Sequence, residues 1–112
     1  EFRRVLFRSG LVRAYHGSDR VIRKFDRGKT VDGTFWFSED LGKIERGESG
    51  ASGGGWIMEV ELEVGRVAGW GEYDRYMLDQ IEDMGYNSIK LDDDWVIFDP
   101  ERVRVVGVRR VR

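Results

Sequence analysis

The stretch from Gly85 to Pro100, GYNSIKLDDDWVIFDP, decides the fold of this chain of 112 residues. Ser88–Leu91 and Trp95–Phe98 are short, mostly apolar runs, and three aspartates stand between them. Short β-prone runs on either side of a polar turn are typical of two paired strands. We therefore predict a hairpin whose acidic corner, Asp92–Asp94, lies beside an aromatic wall.

Patterns elsewhere in the chain predict further strands and one longer helix. Trp56 to Val64 alternates apolar residues with glutamates, which is typical of a strand with one solvated face. Apolar residues between Glu72 and Met84 recur at helical spacing, so we predict one helix there, ended by Gly85. Shorter apolar runs predict two more strands, at Leu11–His16 and Val103–Val111, and a short aromatic strand or loop at Thr34–Phe37.

The segment after the aromatic Thr34–Phe37 run predicts a short helix and then a loop. Ser38 can cap the helix, because a serine hydroxyl accepts a hydrogen bond from a free backbone N–H at a helix start. Gly47–Gly55, GESGASGGG, has five glycines in nine residues and no large side chain, so we expect a flexible loop. Together the patterns predict a small α+β domain built on a split, mostly antiparallel sheet with one or two short helices.

Composition and charge restrict the function. The chain has no cysteine, which excludes disulfides and thiolate metal sites, and no second histidine accompanies the stripe of Glu59, Glu61 and Glu63, so no metal site is predicted. No apolar run approaches the roughly 20 residues that would span a bilayer, so we expect a cytoplasmic protein with no membrane partner. The net charge is −2, but five arginines oppose one glutamate after Pro100. An acidic body with a basic tail argues against general nucleic-acid binding.

The chain is expected to hold one domain, because its length and its 40% apolar content suit a single small core. The first nine residues, EFRRVLFRS, look like a translated restriction site and sequencing adapter left on an environmental gene fragment. We therefore assign residues 1–9 to a non-native segment and residues 10–112 to the domain. The alternative is that Val5, Leu6 and Phe7 add a strand.

Three short motifs hold the candidate functional residues. The only histidine, His16, ends an apolar run and is followed by two small residues, Gly17 and Ser18. The run from Gly33 to Asp40, GTFWFSED, holds an aromatic cluster in which one ring can stack on a ligand while the others fill the core. The third motif is the acidic corner, where a fixed carboxylate can stabilise developing positive charge or accept a proton.

In their order and spacing these motifs resemble the ADP-ribosyltransferase-like superfamily, whose members commonly carry a YHG-S/T strand, a YFS or WFS motif followed by an acid, and a late GYDG-like strand that leads into VVFDP. The likeness covers residues 11 to about 107. Within the superfamily the chain is similar to small phage-type members, including transferase-like anti-CRISPR proteins. The resemblance implies an ADP-ribosyltransferase-like fold and a mono-ADP-ribosyltransferase whose substrate is NAD.

The resemblance also implies which residues bind NAD. His16 would orient the dinucleotide through a ribose hydroxyl, and Gly17 would hold the nicotinamide amide with its backbone. Phe37 is our choice for the ring that stacks on nicotinamide, although many relatives have a tyrosine in this motif. Ser38 would either bond the cofactor or only cap the helix. The implied NAD-binding residues are His16, Gly17, Ser18, Phe37 and Ser38.

The catalytic acid falls on Asp94 in one alignment with the superfamily and on Asp93 in another, with His16 as its catalytic partner. The implied reaction transfers ADP-ribose to a protein, in the narrower version a bacterial defence protein inhibited by a phage-encoded enzyme; a nucleic-acid acceptor is less favoured. An aspartate is one methylene shorter than the commoner glutamate. The competing hypothesis is therefore a catalytically inactive member that acts as a protein-binding module.

Overall fold

The computed structural model describes residues 10–30, 32–49, 51–52 and 54–111, so the segment predicted to be non-native, residues 1–9, lies outside the described residues. The strands are β1 (Leu11–Ser18), β2 (Phe35–Ser38), β3 (Trp56–Glu63), β4 (Val67–Ala68), β5 (Ser88–Leu91), β6 (Asp94–Ile97) and β7 (Val103–Arg110). The α-helices are α1 (Leu41–Glu45), α2 (Trp70–Arg75) and α3 (Leu78–Asp83). Short 3-10 turns cover Arg27–Lys29 and Pro100–Arg102.

All seven strands belong to one sheet in the order β4-β5-β6-β2-β1-β3-β7. Every neighbouring pair is antiparallel except β4 with β5. The predicted α+β class and mostly antiparallel sheet are therefore confirmed. The prediction of one or two helices was too low, since the described residues form three.

In the middle of the sheet, β1 and β2 are joined by a single residue pair, called here the narrow junction. β1 pairs with β3 along its whole length, but β1 pairs with β2 only where Tyr15 faces Ser38, although both strands lie wholly among the described residues. Next to this pair, Nδ1 of His16 lies 2.7 Å from the backbone oxygen of Trp36. The histidine ring therefore makes a contact with β2 where a backbone ladder would otherwise continue.

The single helix predicted for Glu72–Met84 was wrong, because the chain forms two helices there. Tyr76 and Met77 between them are extended, and both are exposed. The side chain of Gln80 accepts a hydrogen bond from the backbone N–H of Met77, which starts the second helix. The prediction counted Met77 as part of the buried side of one helix, but its apolar side chain is exposed on the surface.

The boundaries of several other elements also differ from the predictions; β2, for example, covers Phe35–Ser38 rather than Thr34–Phe37. β1 continues past His16 to Ser18, since β3 supplies pairing partners as far as Trp56. The strand predicted for Trp95–Phe98 begins one residue earlier, at Asp94, which pairs with both β2 and β5. Helix α1 is capped by Asp40, whose carboxylate accepts from the N–H of Lys43, so the predicted cap at Ser38 was wrong.

The core is divided between the faces of the sheet. One face carries the largest cluster, built mainly from β1, β2, β3 and β6 and covered partly by Phe25. On the other face Ile57 packs with Ile44 of α1 and with Ala51 of the glycine-rich loop. A third cluster lies under α2 and α3 around Ile81 and Phe98. Burial on both faces explains why three of the four residues of β6 are apolar.

Candidate functional site

The strand register assigns the predicted site residues to two different faces. Residues that pair directly across an antiparallel sheet point to the same side, and neighbours along a strand point to opposite sides. Tyr15, Ser38 and Asp94 form one row across β1, β2 and β6. His16 and Phe37 each adjoin a member of that row, so their side chains lie on the opposite face. The structure therefore does not bring His16 and Asp94 together on one face.

His16 is held in an aromatic setting. Its ring meets Phe25 edge-on at 5.1 Å and Phe37 at 5.5 Å between centroids. Burial is the main cause of a lowered pKa of His16, and the bond to the carbonyl of Trp36 opposes it only in part. The neutral ring then donates from Nδ1 to that carbonyl, which leaves Nε2 as an acceptor.

A cleft of about 610 Å³ opens beside His16, between the ends of β1 and β2 and the segment Asp19–Thr30. Its volume falls within the roughly 300–1,000 Å³ of small-molecule sites. Ser18 and Phe35 line it, whereas Phe37 does not and is fully buried. Basic side chains around the cleft are Arg20, Arg23, Lys24 and Lys29. They give its wall a chemistry suited to phosphate groups.

On the opposite face, the glycine-rich loop holds two predicted site residues. The backbone N–H of Gly17 donates to the carbonyl of Ala51 at 2.7 Å. The hydroxyl of Ser49 donates to Oδ1 of Asp94 at 3.1 Å. Ala51 is only 1% exposed, so the loop packs onto the sheet here. The glycine-rich loop therefore bonds both Gly17, the predicted backbone clamp, and Asp94, one of the two predicted catalytic acids.

The other candidates have local roles in the structure. Asp93 lies exposed in the turn, where its carboxylate is 3.6 Å from Nζ of Lys43 and its carbonyl accepts from the N–H of Glu39. Ser38 is fully buried on the Asp94 face, and its hydroxyl accepts from the N–H of Asp40. Ser18 alone among the predicted binders shares the cleft with His16.

Glu39 is a carboxylate that the sequence analysis did not select. It accepts from Nε1 of Trp95 at 2.5 Å and from Nζ of Lys90 at 2.8 Å. Partial burial is the largest single influence and raises the pKa of Glu39, but the hydrogen bonds from Lys90 and Trp95 and the positive charge of Lys90 together outweigh it, so the pKa is lowered. The lowered pKa keeps Glu39 ionised. Because Trp95 pairs with Phe37, the indole that Glu39 contacts lies on the face of the sheet that carries His16. Its position directly after the FWFS run was the available signal.

Two further features bear on the kind of protein. Among residues 10–30, 32–49, 51–52 and 54–111, no group of three or more histidines or acids is arranged to hold a metal ion. The glutamate stripe of β3 instead meets Arg13, which contacts both Glu59 and Glu61. None of the helices in the described part of the chain has the length and apolar character needed to cross a membrane.

Comparison with known proteins gave no match to any family model, curated protein or solved structure.

Proposed function

We propose that this protein is an NAD-dependent mono-ADP-ribosyltransferase with an ADP-ribosyltransferase-like fold. The observation that supports the proposal is the placement of its three motifs. The HGS motif, the FWFS motif and the DDDWVIFDP motif lie on β1, β2 and β6, which are consecutive in the middle of the sheet. The narrow junction between β1 and β2 adjoins the cleft beside His16. The sheet thus collects motifs that are up to about 80 residues apart in sequence.

The cleft residues supply the binding chemistry for NAD. The free Nε2 of His16 accepts a hydrogen bond from a ribose hydroxyl, and its bond to Trp36 fixes the ring. Phe25, Phe35 and Trp36 line the cleft and are the rings available to stack on nicotinamide, whereas Phe37 does not line it. The pyrophosphate of the dinucleotide faces the basic side chains that line the cleft, Arg20, Arg23, Lys24 and Lys29.

The chemical step breaks the glycosidic bond between nicotinamide and ribose. Nicotinamide leaves with the bonding electron pair, and positive charge develops on the ribose. A fixed carboxylate stabilises that charge and accepts the proton of the acceptor nucleophile as the new bond forms. Asp94 has the more fixed carboxylate of the two candidate aspartates, because it lies in β6 rather than in the turn. Because Asp94 lies on the face opposite His16, its use requires the dinucleotide to reach both faces of the sheet and the Ser49 contact to open.

The acceptor in this proposal is a protein side chain, with a nucleic acid as the less favoured acceptor. A bacterial defence protein, modified in the bacterial cytoplasm by a phage-encoded enzyme, is the narrower form drawn from the sequence resemblance. The acidic net charge supports a protein acceptor over a nucleic acid.

A second candidate function is a catalytically inactive protein-binding module with the same fold. The specific observation that favours it is the separation of His16 and Asp94 onto opposite faces. The contacts of the glycine-rich loop with Gly17 and Asp94 also favour the binding module, because they occupy groups that NAD would need.

Nicotinamide release from NAD by the purified protein tests the proposal. The assay compares the unaltered protein with His16→Ala, Asp93→Asn and Asp94→Asn, with and without a bacterial lysate as the source of acceptors. Asp83→Asn is the matched control, since Asp83 is an exposed aspartate that does not line the cleft. Release that requires His16 and Asp94 but not Asp83 supports the transferase. If no nicotinamide is released and calorimetry detects no NAD binding, the transferase proposal is wrong and the protein-binding module is favoured.

A further inference from the structure

One edge of the sheet carries most of the exposed apolar side chains. Seven large hydrophobic side chains are exposed in the described part of the chain, and five of them lie between residues 67 and 84. Met77 is the most exposed, at 70%, and Trp70 follows at 47%. The five are Val67, Trp70, Tyr76, Met77 and Met84. Clustered exposed aromatic and methionine side chains with a polar rim are typical of protein–protein contact surfaces.

This edge, formed by β4, α2 and α3 and called here the acidic edge, is negatively charged. Asp74, Asp79 and Asp83 are exposed on its helices. None of the three forms an ion pair with a cation in the part of the chain that the structure describes. Between residues 67 and 84 the acidic edge has five acids against one arginine, Arg75, so its net charge is negative. It offers apolar anchors with a mainly acidic rim, which fits a partner that is apolar and basic.

The other edge of the same sheet has that chemistry. Strand β7, called here the arginine edge, exposes Arg104, Arg109 and Arg110 together with Val106, which is 40% exposed. Arg104 lies 3.9 Å from its nearest carboxylate partner, Glu61, and its side chain is 81% exposed. No strand in the described part of the chain pairs with the outer side of β7. Its backbone N–H and C=O groups are therefore open to a further chain.

We propose that copies of this chain associate head to tail, with the acidic edge of one copy against the arginine edge of the next. Pairing of either edge with its own copy would place like charges together, which costs free energy. Pairing of unlike edges joins carboxylates to guanidinium groups and buries Met77 and Trp70. Because the two edges are at opposite ends of one sheet, the contact is heterologous and builds open chains or rings. The proposal is independent of the transferase activity.

Sedimentation of the purified protein over a range of concentrations and at two ionic strengths tests the proposal. We expect species larger than one chain whose proportion rises with concentration and falls with salt, since exposed charges are screened over a Debye length of about 10 Å at 0.1 M. Asp74→Arg and Arg104→Glu should each weaken association by roughly tenfold or more. An equimolar mixture of these two variants should restore it, because each reversed edge then meets a reversed edge. Met77→Ser should weaken it without any change of charge.

Glu48→Arg is the charge control for Asp74→Arg, because it makes the same change of charge at an exposed position that belongs to neither edge. It also removes the contact of Glu48 with Arg46. It should associate like the unaltered protein. A single-chain mass at every concentration would overturn the proposal and leave the acidic edge to a different, basic protein. Equal effects of Asp74→Arg and Glu48→Arg, or no restoration in the mixture, would also overturn it.

Discussion

Replacement of Ser49 by alanine should separate the stability of the glycine-rich loop from the binding of NAD. The hydroxyl of Ser49 donates to Asp94 and accepts from the N–H of Ala51. The same loop covers the N–H of Gly17 through the carbonyl of Ala51. If NAD needs Gly17 and Asp94, the loop and NAD compete for the same groups. Weakening the loop should therefore strengthen NAD binding while it weakens the fold.

The magnitude follows from the lost contacts. A hydrogen bond to a charged group contributes about 1.5–3 kcal/mol, so Ser49→Ala should destabilise the closed loop by about 2 kcal/mol. A ligand that binds only the open form gains the same free energy while the closed form dominates. At about 1.4 kcal/mol per factor of ten, the apparent Kd for NAD should fall by up to about thirtyfold.

Calorimetric titration with NAD and urea unfolding, performed on the same samples, measure the two effects. Ser88→Ala is the control for general destabilisation. It removes the buried hydroxyl that donates to the carbonyl of Val64 and should cost about 1–3 kcal/mol without touching the loop. Its Kd should not change. If Ser49→Ala lowers stability but leaves the Kd within about twofold of the unaltered protein, the loop and NAD do not compete for Gly17 and Asp94.

Three further predictions concern His16 and two residues on the same face of the sheet, Glu39 and Phe37. His16 has a lowered pKa, so the folded state resists protonation and stability is lost as pH falls below about 6.5, by at most about 1.4 kcal/mol per pH unit. Urea unfolding between pH 7.5 and 5.5 measures this loss, which should shrink in His16→Asn. Glu39 also has a lowered pKa, but its contribution is present above about pH 4.5 and is lost below it. Acid unfolding of Glu39→Gln should therefore lack that part of the loss, and an unchanged acid transition would contradict the assignment. Phe37→Ala should cost about 3–5 kcal/mol in chemical unfolding, since the ring is fully buried against His16 and Phe25; a cost below 1 kcal/mol would show that the site is not packed as described.

Local patterns were sufficient for much of the fold. Ser88–Leu91 is a strand with the predicted bounds, and the alternating Trp56–Val64 segment forms β3 with its glutamates on the more exposed face. A strand is readable from sequence because its side chains alternate with a period of two, whatever lies beside it. The break between α2 and α3 could not be predicted from the sequence, since Tyr76 and Met77 fit a helical period but lie on the surface.

The sequence by itself determined that His16 and Gly17 must point to opposite faces, and likewise Phe37 and Ser38. It could not determine which residues of different strands share a face, because that depends on the register between strands that are distant in sequence. The pairing of Tyr15 with Ser38, and of Ser38 with Asp94, decided that the acid lies away from the histidine. The contact of Ser49 with Asp94 spans 45 residues and the bond of Trp95 to Glu39 spans 56. Only tertiary packing could supply such contacts, since no periodicity along the chain records them.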